Sequence, residues 1–234
     1  MSEQWLALGQ LIPELESRGL VTRTFRRLDP DRQLAVLGAI LDEAAARGPA
    51  SVSIKEVARR GGVSVGALYT YFGNRDGMLA FATELCVRSM TAALDSYGPL
   101  LAGMPVREAL RAYVVGGVAW GRAVPGLAAF FARGAYQGDA ETLDRLVRPI
   151  ADAMRATIGQ ILTAAVDRGE VRPDIDLAAT TGILHALTIA VGDVQLLPYL
   201  NSYLQVLDDA VSTERALEAA IDLVLNGIRT SERP

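Results

Sequence analysis

The stretch SIKEVARRGGVSVGALYTYF, Ser53 to Phe72, carries the signals of two short helices and a tight turn. Ser53 followed three residues later by Glu56 is a capping box, so a helix is expected over about 54–60. Gly61-Gly62 breaks it, and Gly62 falls in the turn, where a positive φ is cheap only for glycine. Ser64 then caps a second helix over about 65–71. Ala58 stands where the two helices cross, and only a small side chain permits that approach. Val57, Val63 and Leu68 are apolar where they would bury. A plain helical hairpin satisfies any one of these conditions; together they describe a helix-turn-helix.

Stepping about 100° per residue puts Val65, Leu68, Tyr69 and Phe72 on one side of the second helix. Leu68 and Phe72 are expected to anchor it, with Tyr69 at the edge. Gly66, Ala67 and Thr70 face away. Such a small outward face can approach the floor of a major groove, where Ala67 and the Thr70 methyl can touch thymine methyls.

Working outward, Asp29-Pro30 starts an amphipathic helix over about 31–47, with Leu34, Leu37, Ile40, Leu41 and Ala44 inward and Gly48-Pro49 as its stop. Before it, residues 3–18 place Trp5, Leu8, Ile12 and Leu15 at helical spacing, with Pro13 as a possible kink. A basic stretch with Arg23, Arg26 and Arg27 follows, readable as an arm that enters an adjacent minor groove. Asn74 caps a long helix to roughly 95. Further helices are expected at about 105–122, 126–135, 139–169, 174–197 and 213–229, with Asp139 and Asp174 as N-caps and Gly169 as a C-terminal stop. No alternating strand pattern persists, so the expectation is an all-α chain: a 1–30 extension, a three-helix DNA-binding domain over 31–77, and a helical ligand-binding and dimerisation domain over 78–234.

The composition agrees. The chain has 234 residues, 50% hydrophobic and 21% charged, enough to bury a sizeable core. Cys86 is its only cysteine and His185 its only histidine, which excludes a disulfide scaffold and a zinc–thiolate site. Cys86 reads as core. The longest uncharged apolar run, Leu177 to Gly192, is 16 residues, below the ~20 a membrane span needs. The N-terminal residues lack the pattern of a signal peptide, so a cytoplasmic protein without a membrane partner is expected. One lysine among 23 basic residues points to a GC-rich bacterial genome. The net charge is −4, yet residues 1–90 carry 11 basic and 10 acidic side chains. Between Arg47 and Arg75 the basic residues are Arg47, Lys55, Arg59, Arg60 and Arg75, against Glu56 alone. A local positive patch in an acidic protein suits a phosphate backbone, and it also suits a solvated helix face.

The block VARRGGVSVGALYTYFGNRDGML resembles the DNA-binding region of the tetracycline-repressor (TetR) family of bacterial regulators. The LYxYF core with a basic residue three past the Phe carries the resemblance. Departures are Val65, where many members have Lys or a polar residue, Gly73, Arg75 in place of the usual Lys, and the long N-terminal extension. The resemblance implies that Lys55 reads bases and that Ser53, Ser64, Gly66, Tyr69, Tyr71 and Arg75 hold phosphates. With Val65, Ala67 and Thr70 these residues make up the expected DNA-binding set. It also implies an effector pocket in the C-terminal domain, a double-stranded DNA operator, and a regulator, a repressor in the first reading, released by a small, largely apolar molecule. The alternative is a ligand-binding or interaction protein that kept the fold and lost specific DNA binding.

Gly62-Val63-Ser64-Val65-Gly66 formally matches the nucleophile elbow of α/β-hydrolases, but that elbow follows a buried strand, whereas KEVARRG is charged and helical. Lys55 has no glycine-rich phosphate loop before it. No enzyme, cofactor or metal is expected. In the C-terminal half, glycines interrupt aromatic-bearing helices, which suggests kinks around a cavity, with Tyr113, Trp120, Phe131 and His185 as candidate ligand contacts. Asp193 shares the apolar helix of His185. The last helix presents Leu217, Ile221, Val224, Leu225 and Ile228 with Ala216, Ala219 and Ala220. Apolar over more than one face, it would pair with 174–197 in a homodimeric four-helix bundle.

Overall fold

A computed structural model describes residues 3–228. The elements are α1 (Glu3–Ser17), α2 (Arg23–Arg26), α3 (Pro30–Arg47), α4 (Ile54–Arg60), α5 (Val65–Phe72), α6 (Arg75–Ala102), α7 (Val106–Ala123), α8 (Pro125–Gln137), α9 (Ala140–Thr142), α10 (Arg148–Asp167), α11 (Leu177–Leu196), α12 (Asn201–Leu204) and α13 (Thr213–Ile228). Short 3₁₀ turns stand at Pro49–Ser51 and Pro198–Leu200, and a π-turn, Leu143–Val147, joins α9 to α10. No β-strand occurs among the described residues, so the fold is all-α.

The chain packs as two compact units. One holds residues 1–90 and 123–150, the other 91–122 and 151–234. In the first, α1 buries Leu8, Ile12 and Leu15, while the Trp5 side chain lies outside the described residues. Asp29 accepts from the Arg32 N–H at 3.0 Å and Pro30 opens α3, as the sequence requires. Val36, Leu37, Ile40, Leu41 and Ala44 of α3 are buried. Helix α8 lies close against α3: a Cβ at Gly126 would stand 3.1 Å from the Leu41 Cβ, so the smallest residue sets the approach. Cys86 is fully buried, donates to the Leu127 carbonyl at 3.7 Å, and has its thiol pushed up by desolvation, the core role its sequence context indicates.

In the second unit, Leu110 and Tyr113 of α7, Ile158, Ile161 and Leu162 of α10, Leu184 and Val191 of α11, and Leu217, Ile221 and Leu225 of α13 share one core. Ion pairs lace its surface: Arg107 meets Glu218 and Asp222, and Arg111 meets Glu214 and Glu218. Such exposed pairs contribute little singly, ~0–1 kcal/mol, so the apolar core holds the unit.

Several boundaries differ from the sequence expectation. Helix α6 passes through Pro99 and ends at Ala102 rather than near 95. The bond that proline removes belongs to the carbonyl of Asp95, an exposed residue that water can reach. The expected 139–169 helix is divided by the π-turn. Asp176, not Asp174, caps α11, accepting from the Ala179 N–H at 2.9 Å. Helix α11 therefore has 20 residues and is long and apolar enough to cross a membrane by length and composition, beyond the 16-residue run counted in the sequence. Its Leu184 and Val191 nevertheless lie in the core of the unit. The basic stretch is not a free arm, since Arg23–Arg26 is helical and Phe25 is buried.

Candidate nucleic-acid interface

Helices α4 and α5 stand as the sequence places them, each started by a serine. Ser53 accepts from the Glu56 N–H at 3.4 Å and Ser64 from the Ala67 N–H at 3.0 Å. Gly62 adopts φ +64°, and the Val63 N–H returns to the Ala58 carbonyl at 3.0 Å to close the turn. Val57, Ala58 and Leu68 are buried. The capping box is only half formed, because the Glu56 carboxylate turns to Arg59 and Arg60. The Ser53 N–H instead approaches the buried carboxylate of Glu43 on α3 at 3.4 Å. On α5, Gly66, Tyr69 and Thr70 are exposed and Val65 and Ala67 half-buried, while Leu68, Tyr71 and Phe72 are buried. The exposed residues lie on one open face of a helix capped at its N-terminus, the geometry with which a recognition helix enters a major groove.

Residues 36–81 match the profile of the bacterial regulatory proteins of the tetR family. No curated protein matches the chain in sequence. Among solved structures, a TetR family transcriptional regulator from Chloroflexus aurantiacus J-10-FL is 21% identical with a TM-score of 0.65, covering 90% of this chain and 99% of that one. A putative TetR-family transcriptional regulator from Rhodococcus sp. is 24% identical with a TM-score of 0.59, covering 83% and 99%. The transcriptional regulator FadR from Bacillus subtilis, solved with stearoyl-CoA, is 16% identical with a TM-score of 0.63, covering 84% and 100%.

The chain shares its fold with TetR-family regulators, and its residues 36–81 match the tetR-family model.

In this tetR-like head the candidate residues are distributed unevenly. Lys55 is exposed on α4, and Ser53 and Ser64 cap their helices. Tyr69 is 47% exposed, in keeping with its place at the edge of the helical wheel, whereas Tyr71 is 7% exposed, too buried for the phosphate contact that the resemblance implies. The Tyr71 ring meets Phe25 edge-on at 5.5 Å and stands 6.1 Å from Phe72, so it belongs to an aromatic cluster. The sequence reading did not foresee this because α2, which supplies Phe25, was read as an arm. Arg75 opens α6 and donates from Nε to the Val52 carbonyl at 2.9 Å, while its Nη1 lies 3.3 Å from Asp76. It also lines a cleft of about 230 Å³ with Asp76, Thr83, Phe130, Glu141 and Arg145.

The positive window is weaker than its sequence count. Arg59 and Arg60 engage Glu56, and these hydrogen bonds, Arg59 first, hold its carboxyl down at about 2. Glu43, outside the counted window, pairs with Arg47 at 3.0 Å and Arg60 at 3.4 Å. The sequence did carry a signal for it: Glu43 interrupts the inward Ile40-Leu41-Ala44 face of α3, where an acid requires a partner.

The four candidate ligand contacts do not share one unit. Tyr113, Trp120 and His185 belong to the second and Phe131 to the first. The Tyr113 hydroxyl is buried without a hydrogen-bond partner among the described residues, and burial pushes its phenol up. His185 is half-buried with Nδ1 likewise unpartnered there; desolvation first, then the Arg155 charge, lowers its pKa. Trp120 is half-buried and Phe131 buried. Asp193, 8% exposed, has a partner.

Proposed function

We propose that this protein is a ligand-responsive transcriptional repressor that binds a pseudo-palindromic DNA operator as a homodimer and is released by a small, largely apolar effector. The observation that carries the reading is the exposed face of α5, with Gly66, Tyr69 and Thr70 beside the exposed Lys55 of α4. In this reading Lys55, Ala67 and Thr70 meet base edges, and Ser53, Ser64, Tyr69 and Arg75 meet phosphates. Domain roles follow: the head around 31–77 binds DNA and the remainder from 78 senses and dimerises. The effector site lies in the second unit, where the unpartnered Tyr113 hydroxyl and His185 Nδ1 supply polar anchors in an apolar core. A regulator of the same fold was solved with stearoyl-CoA, an apolar chain on a polar head. Dimerisation uses the outer faces of α11 and α13, where Ile183 and Leu223 are exposed. Location in the cytoplasm, where the DNA lies, completes the reading.

Selection of duplexes from a random pool by the full-length protein tests it. An enriched inverted repeat with half-sites about one DNA turn apart, or a multiple of it, is expected. A pool that stays unenriched while the protein is folded would favour the alternative, a protein that kept the fold without specific DNA binding.

A further inference from the structure

The N-terminal extension is fastened to the end of α5. The Thr22 N–H donates to the Tyr71 carbonyl at 2.9 Å, and the Thr22 hydroxyl donates to the Thr70 carbonyl at 2.9 Å. The next residue is Arg23, the first of α2. The other end of α2 is held by α3, because the Gln33 side-chain amide donates to the Phe25 carbonyl at 3.1 Å and the Arg26 carbonyl at 3.0 Å. Beneath, the Phe25 ring is 1% exposed and lies 5.2 Å from Phe72 and 5.6 Å from Phe81. Three separate attachments therefore hold a four-residue turn that has no helical stability of its own.

The arginines on this turn divide by role. Arg26 is committed to Glu16. Arg23 and Arg27 are exposed, and among the described residues no carboxylate pairs with either. Spaced i and i+4, they lie on one side of the turn. Asp29, the nearest acid along the chain, is engaged by the Arg32 N–H as the cap of α3. Two uncompensated guanidinium groups thus sit on a rigid support, one residue from a side chain hydrogen-bonded to Thr70. A double helix entered by α5 would bring the phosphate wall of its groove to this side of the helix.

We infer that α2 is a second DNA-contacting element, a folded support that sets Arg23 and Arg27 against backbone phosphates flanking the base pairs read by α5. The inference rests on the reading of α5 as a recognition helix. It concerns affinity and the length of the site, not its sequence, since phosphate contacts carry no base information directly.

The test uses the full chain and two duplexes, both built on a sequence that the wild-type protein selects from a random pool. One ends at the base pairs of the selected motif; the other extends it by ten base pairs on each side. Wild type is expected to bind the long duplex at least tenfold more tightly than the trimmed one. The Arg23→Gln/Arg27→Gln double variant should lose that difference and bind the same motif. Its slope of log affinity against log salt on the long duplex should be shallower by about 0.9 per lost contact. Arg26→Gln, which breaks only the Glu16 pair, should leave the slope unchanged. Circular dichroism checks that each variant is folded; should the double variant fail, the two single Gln variants replace it. Equal wild-type affinity for both duplexes, or an unchanged slope in folded double or single variants, overturns the inference and leaves the recognition helix standing. An equal slope change in Arg26→Gln also overturns it, since diffuse charge would then explain the effect. Failure of the wild type to select any motif overturns both readings.

Discussion

Single side chains in the head do more than one job, and substitutions can separate them. Arg75 couples a structural bond, Nε to the Val52 carbonyl, with a charge at the start of α6. Arg75→Lys keeps the charge and loses the planar donor fork. It is expected to lower stability by about 1 kcal/mol and to preserve the salt dependence of DNA binding. Arg75→Ala should lower stability and also flatten the salt slope by about one. Thermal melts and binding isotherms at several salt concentrations check both; a full salt slope in a folded Arg75→Ala protein would leave Arg75 a purely structural role. Tyr71 is buried in the aromatic cluster, so Tyr71→Ala should cost about 3–5 kcal/mol by melting, whereas Tyr71→Phe keeps the ring and the stability. Glu56 gives a pH signature. Its folded carboxyl titrates at about 2 against an ordinary 4.5, so its contribution is present above about 4.5 and is lost as pH falls toward 2. The melting-temperature gap between wild type and Glu56→Gln should therefore shrink over that window, and a gap that stays constant would mean that the arginines do not hold the carboxylate in solution.

Among the elements, the turn between α4 and α5 is the most constrained, because Gly62 sits at φ +64°. Gly62→Ala places a Cβ in the left-handed region and should cost about 1–2 kcal/mol, read as a drop in the denaturation midpoint. No loss at all would mean that the turn adopts another conformation. The elements legible in the sequence were those whose signals are local. The caps Ser53, Ser64, Asn74 and Asp139 stand where they were read, each accepting a backbone N–H three residues on. Elements that depend on tertiary contacts were less legible. Helix α2 has only four residues and exists because Phe25, Thr22 and Gln33 are held by other elements. The half-formed capping box failed for the same reason: a carboxylate on α3, ten residues before Ser53, took the place of Glu56. Periodicity within one helix carries no information about such partners. In the candidate site, the exposure of Gly66 and Thr70 followed from the wheel, while the burial of Tyr71 did not, because the neighbour that buries it comes from the extension.

At the scale of the whole molecule, the proposed regulation would require two heads at a fixed separation, and burial decides which residues can set it. Ile221 and Leu225 read in the sequence as interface residues, yet they are 1% and 0% exposed in the core of their own unit. Charging them would unfold the protomer. Along α13, Leu217, Ile221, Leu225 and Ile228 serve that core, and Leu223 is the large apolar side chain left 71% exposed. Along α11, Leu184 and Val191 face inward while Ala179, Ile183 and Ala186 are exposed at spacings of four and three, with Ile183 at 63%. Two helices that each keep an apolar outer face match what an isologous interface would cover. Removing that face should leave each protomer folded, because neither Ile183 nor Leu223 belongs to the core. In the proposed reading a single half-site contact is weak at physiological salt, so operator affinity would depend on both heads acting together. Ile183→Glu/Leu223→Glu is therefore expected to sediment as a monomer with wild-type helicity. It should lose operator binding by two orders of magnitude or more, although both substitutions lie in a different compact unit from α5. A double variant that remains a dimer would move the interface elsewhere, and a folded monomer that binds the full operator as wild type does would sever dimerisation from recognition.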